Sequence, residues 1–394
     1  MCYIPFTKRS TKCIDKLFKG GSILYCYQCG GKVKETQNFC GSCGANLQIN
    51  RDEQAATIEE SNHVSLQDQV KGTFLDATKK VNQMVGEQGS IDVNLKDVFA
   101  DVFKKHTKEE AELLFIAGTK TTTPNEADIS SSWPKPWLFF RAFLVFAMTF
   151  IFLYISTIYF QNSNALPGLI IIGSFAAPFS LLIFFWEMNA PRNISFYEVG
   201  KMLFVGGAAS LVTTLLLFSF FPVYDLTFTG AIVVGVVEEV GKLVIIAYFI
   251  KKLNPKFILN GLLIGATIGA GFAAFESAGY AYNIGVMYGE GAMISVIFMR
   301  GWMSIGTHVV WSAIAGAALL YVKGHNPLQN DHFFHADFLK LFAVAIILHA
   351  VWDMPLYILH HFYLIFIILI FIAWVFIFSL ISAGLKQINR INRV

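Results

Sequence analysis

From Trp137 onward the chain is dominated by long apolar runs, and the feature that most constrains it is that ionisable residues sit inside those runs. The runs lie near 137–160, 166–188, 197–221, 228–250, 257–283, 301–322, 337–358 and 362–384, each long enough to cross about 30 Å of hydrocarbon. Glu238, Glu239 and Lys242 interrupt the fourth, Glu276 the fifth, His308 the sixth, and His349 with Asp353 the seventh. A charge at the centre of a bilayer costs roughly 2.5–3.5 kcal/mol on insertion scales, so these four acids and one lysine would together cost on the order of 12–17 kcal/mol if unpaired. Each charge must therefore find a partner, and a set of this kind is expected to serve a purpose.

Composition agrees with the hydropathy. Of 394 residues, 55% are hydrophobic and 14% charged, and the mean hydropathy is +0.54. That is too apolar for a soluble chain of this length and predicts an all-α polytopic membrane protein with eight transmembrane helices. Arg192, then Lys251, Lys252 and Lys256, then Lys323 precede the third, fifth and seventh runs, and Lys386, Arg390 and Arg393 follow the last. The loops 161–165, 222–227, 284–290 and 359–361 contain no Lys or Arg. The positive-inside rule then predicts cytoplasmic termini in a multi-pass protein of the cell membrane. Because the basic residues follow the sides of the membrane and the net charge is only +3, no nucleic-acid partner is expected. The first 25 residues hold no apolar run long enough for a secretory signal.

All six cysteines lie in the first 43 residues. Cys26 and Cys29 form one C-x-x-C pair and Cys40 and Cys43 a second, with Gly30 and Gly44 directly after each knuckle. Four thiolates at this spacing predict a structural zinc ribbon over 26–44. Two disulfides are the competing reading, disfavoured in a cytoplasmic segment. Cys2 and Cys13 lack such spacing. The domain order expected is 1–47 with the ribbon, a helical cytoplasmic connector and linker over 48–136, the eight-helix region 137–385, and a basic tail 386–394. In the connector, Leu95, Val98, Phe99, Val102 and Phe103 recur at helical spacing, and Thr107 with Glu110 reads as a capping box. Thr119 to Pro136 reads as a linker.

Counted from the outer ends at about 1.5 Å per residue, Glu239 lies roughly 16 Å down its helix, Glu276 about 10 Å, His308 about 11 Å, His349 about 14 Å and Asp353 about 8 Å. Four helices thus bring ionisable groups to one layer. Lys242 stands three and four residues beyond Glu239 and Glu238, and His349 four before Asp353, so each set shares a helix face. Four carboxylates against one lysine leave an excess of negative charge in a low dielectric. Either a divalent cation or bound protons must offset it, and either arrangement suits hydrolysis.

At these residues the sequence resembles the PrsW family of intramembrane proteases, related to the larger CAAX-protease and bacteriocin-processing group. Glu238-Glu239-Val-Gly-Lys242, Phe275-Glu276 with Tyr280, His308, and His349-Ala-Val-Trp-Asp353 stand in the order of the family's motifs. The broader group has Arg, His and Asn where Lys242, Glu276 and Asp353 stand; the PrsW-like members match this chain. The resemblance implies cleavage of a membrane-embedded or membrane-adjacent peptide bond in a protein substrate. Combined with the spacing, it gives an expected division of labour. Glu239, beside Glu238, activates water, and Lys242 holds the glutamate pair. His308 and His349 hold a metal or the water, Asp353 supports His349, and Glu276 ligates or shares a proton. A catalytic divalent metal, zinc foremost, would draw on Glu239, Glu276, His308, His349 and Asp353. Arg141 and Arg300, near span ends, are expected to snorkel to headgroups. Gly261, Gly265 and Gly269 predict a close helix contact. The ribbon is expected to meet a cytoplasmic partner. The competing functions are a proton-coupled transporter and a catalytically silent membrane sensor.

Overall fold

The structure, a computed structural model, describes residues 24–25, 32–33, 37–44, 66–91, 93–356 and 362–392. The chain divides into two units, 1–73 and 74–394. In the first, β1 (Leu24–Tyr25) pairs antiparallel with β2 (Lys32–Val33), Leu24 opposite Val33. Cys40 is buried and Cys43 exposed. The Gly44 N–H reaches back 2.8 Å to the Cys40 carbonyl with Gly44 at φ 72°, a tight turn of the kind a metal knuckle uses. Cys2, Cys13, Cys26 and Cys29 lie outside the described residues.

The second unit is helical. After α1 (Leu66–Met84), which begins in the first unit and ends in the second, α2 (Leu95–Val98) and α3 (Lys108–Phe115) come the apolar helices α4 (Leu138–Ile158), α5 (Leu166–Met188), α6 (Phe196–Phe220), α7 (Phe228–Leu253), α8 (Ile258–Tyr288), α9 (Glu290–Met303), α10 (His308–Lys323), α11 (Ala336–Asp353) and α12 (Phe362–Ile391). Residues Met202–Gly206 make a π-helical segment within α6. Among the described residues, six helical segments are long and apolar enough to cross a membrane, α9 and α10 counting as one, Glu290–Lys323. The chain is thus a multi-pass membrane protein whose second unit, among its described residues, is all-helical. The remaining two long helices, α7 and α11, are the ones with Glu238, Glu239 and Lys242, and with Asp337, Lys340 and Asp353.

The core forms around α8, whose buried residues run almost without break from Ile258 to Ala274. Its largest contact is with α10, and the glycine ridge explains it. A Cβ at Gly261, Gly265 or Gly269 would collide with the backbone carbonyl of Gly316, Ser312 or His308, so these glycines let the two backbones touch. The register that results sets His308, the first residue of α10, against the middle of α8.

Several expectations are corrected. The fifth apolar helix runs on into the expected loop 284–290, as far as Tyr288, and α9 fills the stretch left between the fifth and sixth runs together with the start of the sixth. The connector helix expected through Phe103 is a single turn, because from Phe99 the chain closes i to i+3 turns such as Ala100 N–H to Asp97 O at 3.3 Å. The capping box at Thr107 and Glu110 is present. The stretch 119–136 is pinned: Glu126 pairs with Lys256 at 2.6 Å, and the Ile129 carbonyl accepts from Asn392 at 2.9 Å. The tail is helical to Ile391, with Arg390 and Lys386 on Glu87 at 2.9 and 3.5 Å. Arg141 stacks on Trp137 at 4.6 Å and donates to the Lys104 carbonyl at 2.7 Å.

Gly265→Val should destabilise the protein by about 1–3 kcal/mol or more through overpacking, read as a lower thermal midpoint in detergent. Gly279→Ala, on the same helix but facing open space, should leave that midpoint unchanged or slightly raised.

Candidate active site

At the centre of the site a fully buried lysine meets two acids and a histidine. Lys242 has no exposed surface; its Nζ lies 2.7 Å from Glu239 Oε1, 3.8 Å from Glu238 Oε2 and 3.0 Å from His308 Nδ1. The ammonium also sits 4.5 Å over the Phe272 ring. Glu239 Oε1 takes a second hydrogen bond, from His349 Nδ1 at 2.7 Å. A buried charge of either sign would be untenable alone, so α11 is tied to α7 through Glu239 Oε1 and α10 to α7 through Lys242 Nζ.

These contacts determine the two ring tautomers. A carboxylate only accepts, so His349 carries its proton on Nδ1 toward Glu239, and in the neutral ring Nε2 presents a lone pair. An ammonium only donates, so His308 accepts at Nδ1, and its Nε2–H points to Glu276 Oε2 at 3.1 Å. Trp311 stacks on His349 at 4.5 Å and meets the His308 ring edge-on at 5.2 Å. Both imidazoles are thereby held in place.

Above this layer is a cavity of about 480 Å³. Its chemical lining is Glu238, Glu276, Tyr280, Arg300, His308, His349 and Asp353, with Tyr224 and Asp225 from the loop before α7. Every candidate residue from the sequence is brought together here, but the twin glutamates are divided. Glu238 lines the cavity; Glu239, its side chain wholly buried, does not. The position expected for the water-activating Glu239 is therefore taken by Glu238, while Glu239 and Lys242 lie beneath. Asp353 is indeed beside His349, at 3.3 Å from Nε2.

Sequence reasoning missed Arg300. Far from snorkelling, its Nη2 binds Glu276 Oε2, its Nε donates to Ser277 Oγ at 3.0 Å, and its guanidinium lies 4.5 Å from the Tyr280 ring centre. Its place eight residues before His308, at the end of an apolar segment, was the available signal.

The donor set fits a metal ion. Glu238 Oε2 is buried with no hydrogen-bond partner, 3.6 Å from His349 Nε2 and 3.9 Å from His308 Nδ1. Ligand atoms of Glu238, His308 and His349 all lie within 4.8 Å of one another. Two ligands about 2.0–2.1 Å from a tetrahedral zinc stand roughly 3.3 Å apart, so the three groups would have to close in on an ion, and His308 would have to exchange its hydrogen bond from Lys242 for it.

Buried carboxylates and histidines thus converge beneath an apolar helical shell. Residues 198–381 match the model of the PrsW family intramembrane metalloprotease, which contains every one of the site residues from α7 to α11. On that match the chain is an intramembrane peptidase. No curated protein and no solved structure gives a match to it.

Lys242→Met should leave Glu239 buried without its cation and cost about 3–5 kcal/mol, read by denaturant titration in mixed micelles. The double variant Glu239→Gln/Lys242→Met should recover part of that loss; equal losses in both would contradict the coupling.

Proposed function

We propose that the chain hydrolyses a peptide bond of a membrane-embedded or membrane-adjacent protein at this cavity, with a glutamate-activated water. The observation that carries the reading is the unpartnered, buried Oε2 of Glu238, facing the cavity between two oriented imidazoles. Glu238 takes a proton from water and returns it to the leaving amine. Glu239 fixes the His349 ring through Nδ1, and Lys242 neutralises Glu239 and orients His308. Glu276 accepts from His308 Nε2–H, and Asp353 stabilises the imidazolium of His349 when Nε2 is protonated. The ion that the family implies, zinc being the expected one, would be held by Glu238, by His349 through Nε2 and by His308 once its ring gives up the Lys242 contact, and would supply positive charge to polarise water and substrate carbonyl. Each of the eight expected apolar runs contains a long helix among the described residues, which supports eight spans, even-numbered and with cytoplasmic termini in the cell membrane.

The ribbon formed by Cys26, Cys29, Cys40 and Cys43 belongs to the same reading, as a structural zinc site on the cytoplasmic side that could take a protein partner. The β1–β2 pair, which brackets Cys26 and Cys29, and the turn closed at Gly44 support it.

Purified protein in liposomes with a panel of single-span peptides should give scission that a chelator abolishes and added zinc restores. Proton or solute flux without scission would instead favour a transporter, and neither activity a silent sensor. In a variant with Ser at Cys26, Cys29, Cys40 and Cys43, stoichiometric zinc should persist, measured by elemental analysis; complete loss would leave the ribbon as the metal site.

A further inference from the structure

The cavity contains one permanent cation, and it is not used by the roles above. Among the cavity-lining residues, Arg300 is the lone Lys or Arg, since Lys242 is buried beneath the floor. It reaches the cavity from α9, which packs against α5 and α8 through Met293, Ile297, Leu169 and Ala281. Its guanidinium is fixed to one face of α8 at three points: Glu276, Ser277 and the ring of Tyr280. These contacts use two of its five N–H donors. The side chain remains 30% exposed, although it stands against a carboxylate that also holds His308.

The geometry points to Arg300 as the group that binds the carbonyl oxygen of the scissile peptide bond. The inference rests on the hydrolytic reading and names a residue for it. A guanidinium clamped on one edge and open on the other is a preorganised donor, which is what charge developing on a carbonyl oxygen requires. When the water oxygen adds to the carbonyl carbon, the carbonyl π electrons move onto that oxygen, where the open N–H groups of Arg300 receive them. The water proton passes to Glu238. Collapse then re-forms the C=O bond, breaks C–N and delivers the proton to the amine. Glu276 acts as a positioning residue for both Arg300 and His308. A guanidinium suits this place better than an ammonium because it can hold an acid and present donors to a second oxygen at once.

The test compares wild type with Arg300→Ala and Arg300→Lys in liposomes, on a peptide the wild type cleaves. Arg300→Ala is expected to lose about 10²–10³-fold in kcat with KM, zinc content and thermal midpoint little changed. Millimolar ethylguanidinium should restore part of that kcat, and Arg300→Lys should fall between the two. A wild-type kcat in Arg300→Ala would overturn the inference. So would a loss that ethylguanidinium does not relieve and that follows the zinc content or midpoint downward, which would make Arg300 a structural partner of Glu276. Absence of scission by wild type would refute the hydrolytic reading itself, a separate outcome.

Discussion

A lysine ammonium with no accessible surface, set 2.7 Å from one glutamate oxygen and 3.0 Å from a histidine nitrogen, is the contact on which the rest of the molecule depends. In a hydrocarbon layer neither Lys242 nor Glu239 could remain charged by itself, so the pair must form and must then be completed by hydrogen bonds. His308 and His349 complete it, one accepting from the ammonium and one donating to the carboxylate. Charge neutralisation thus also decides which imidazole nitrogen faces the cavity. The same interaction that stabilises the helices prepares the site.

Helix packing supplies the position. Gly235 of α7 lies against the backbone of Ile346 and Ala350, and Gly241 against Thr214 of α6, wedging α7 between two neighbours and fixing its rotation. With that rotation Glu239 points at α11 and Glu238 at the open space. The backbone contact of α8 with α10 does the corresponding work for Glu276 and His308. Small residues here are therefore part of the chemistry, since a bulkier side chain would move a ligand atom.

The fold class was legible because hydrophobic runs of membrane length leave few alternatives, and the site was legible because acids and histidines inside such runs are costly enough to need explaining. All of Glu238, Glu239, Lys242, Glu276, His308, His349 and Asp353 do meet. The roles of the two glutamates were not legible. Adjacent residues on a helix differ by about 100° in direction, and Lys242 can reach either from its position, so only the packing of Gly235 and Gly241 tells them apart. Arg300 was misread because an arginine at the end of an apolar run ordinarily serves the interface; α9 begins earlier than hydropathy suggests and turns that end inward. The tail and the stretch 119–136 looked like loose segments because Glu87, Lys256 and Ile129, which hold them, are distant in sequence.

The division of the glutamates is tested most directly by Glu238→Gln beside Glu239→Gln in the same liposomes, each measured for peptide cleavage and for thermal unfolding. Glu238→Gln is predicted to abolish cleavage while keeping the unfolding midpoint, because its carboxylate serves the cavity. Glu239→Gln is predicted to lower the midpoint sharply, because Lys242 loses its counter-charge. The reverse pattern, a stable but inactive Glu239→Gln beside an active or unfolded Glu238→Gln, would contradict the account.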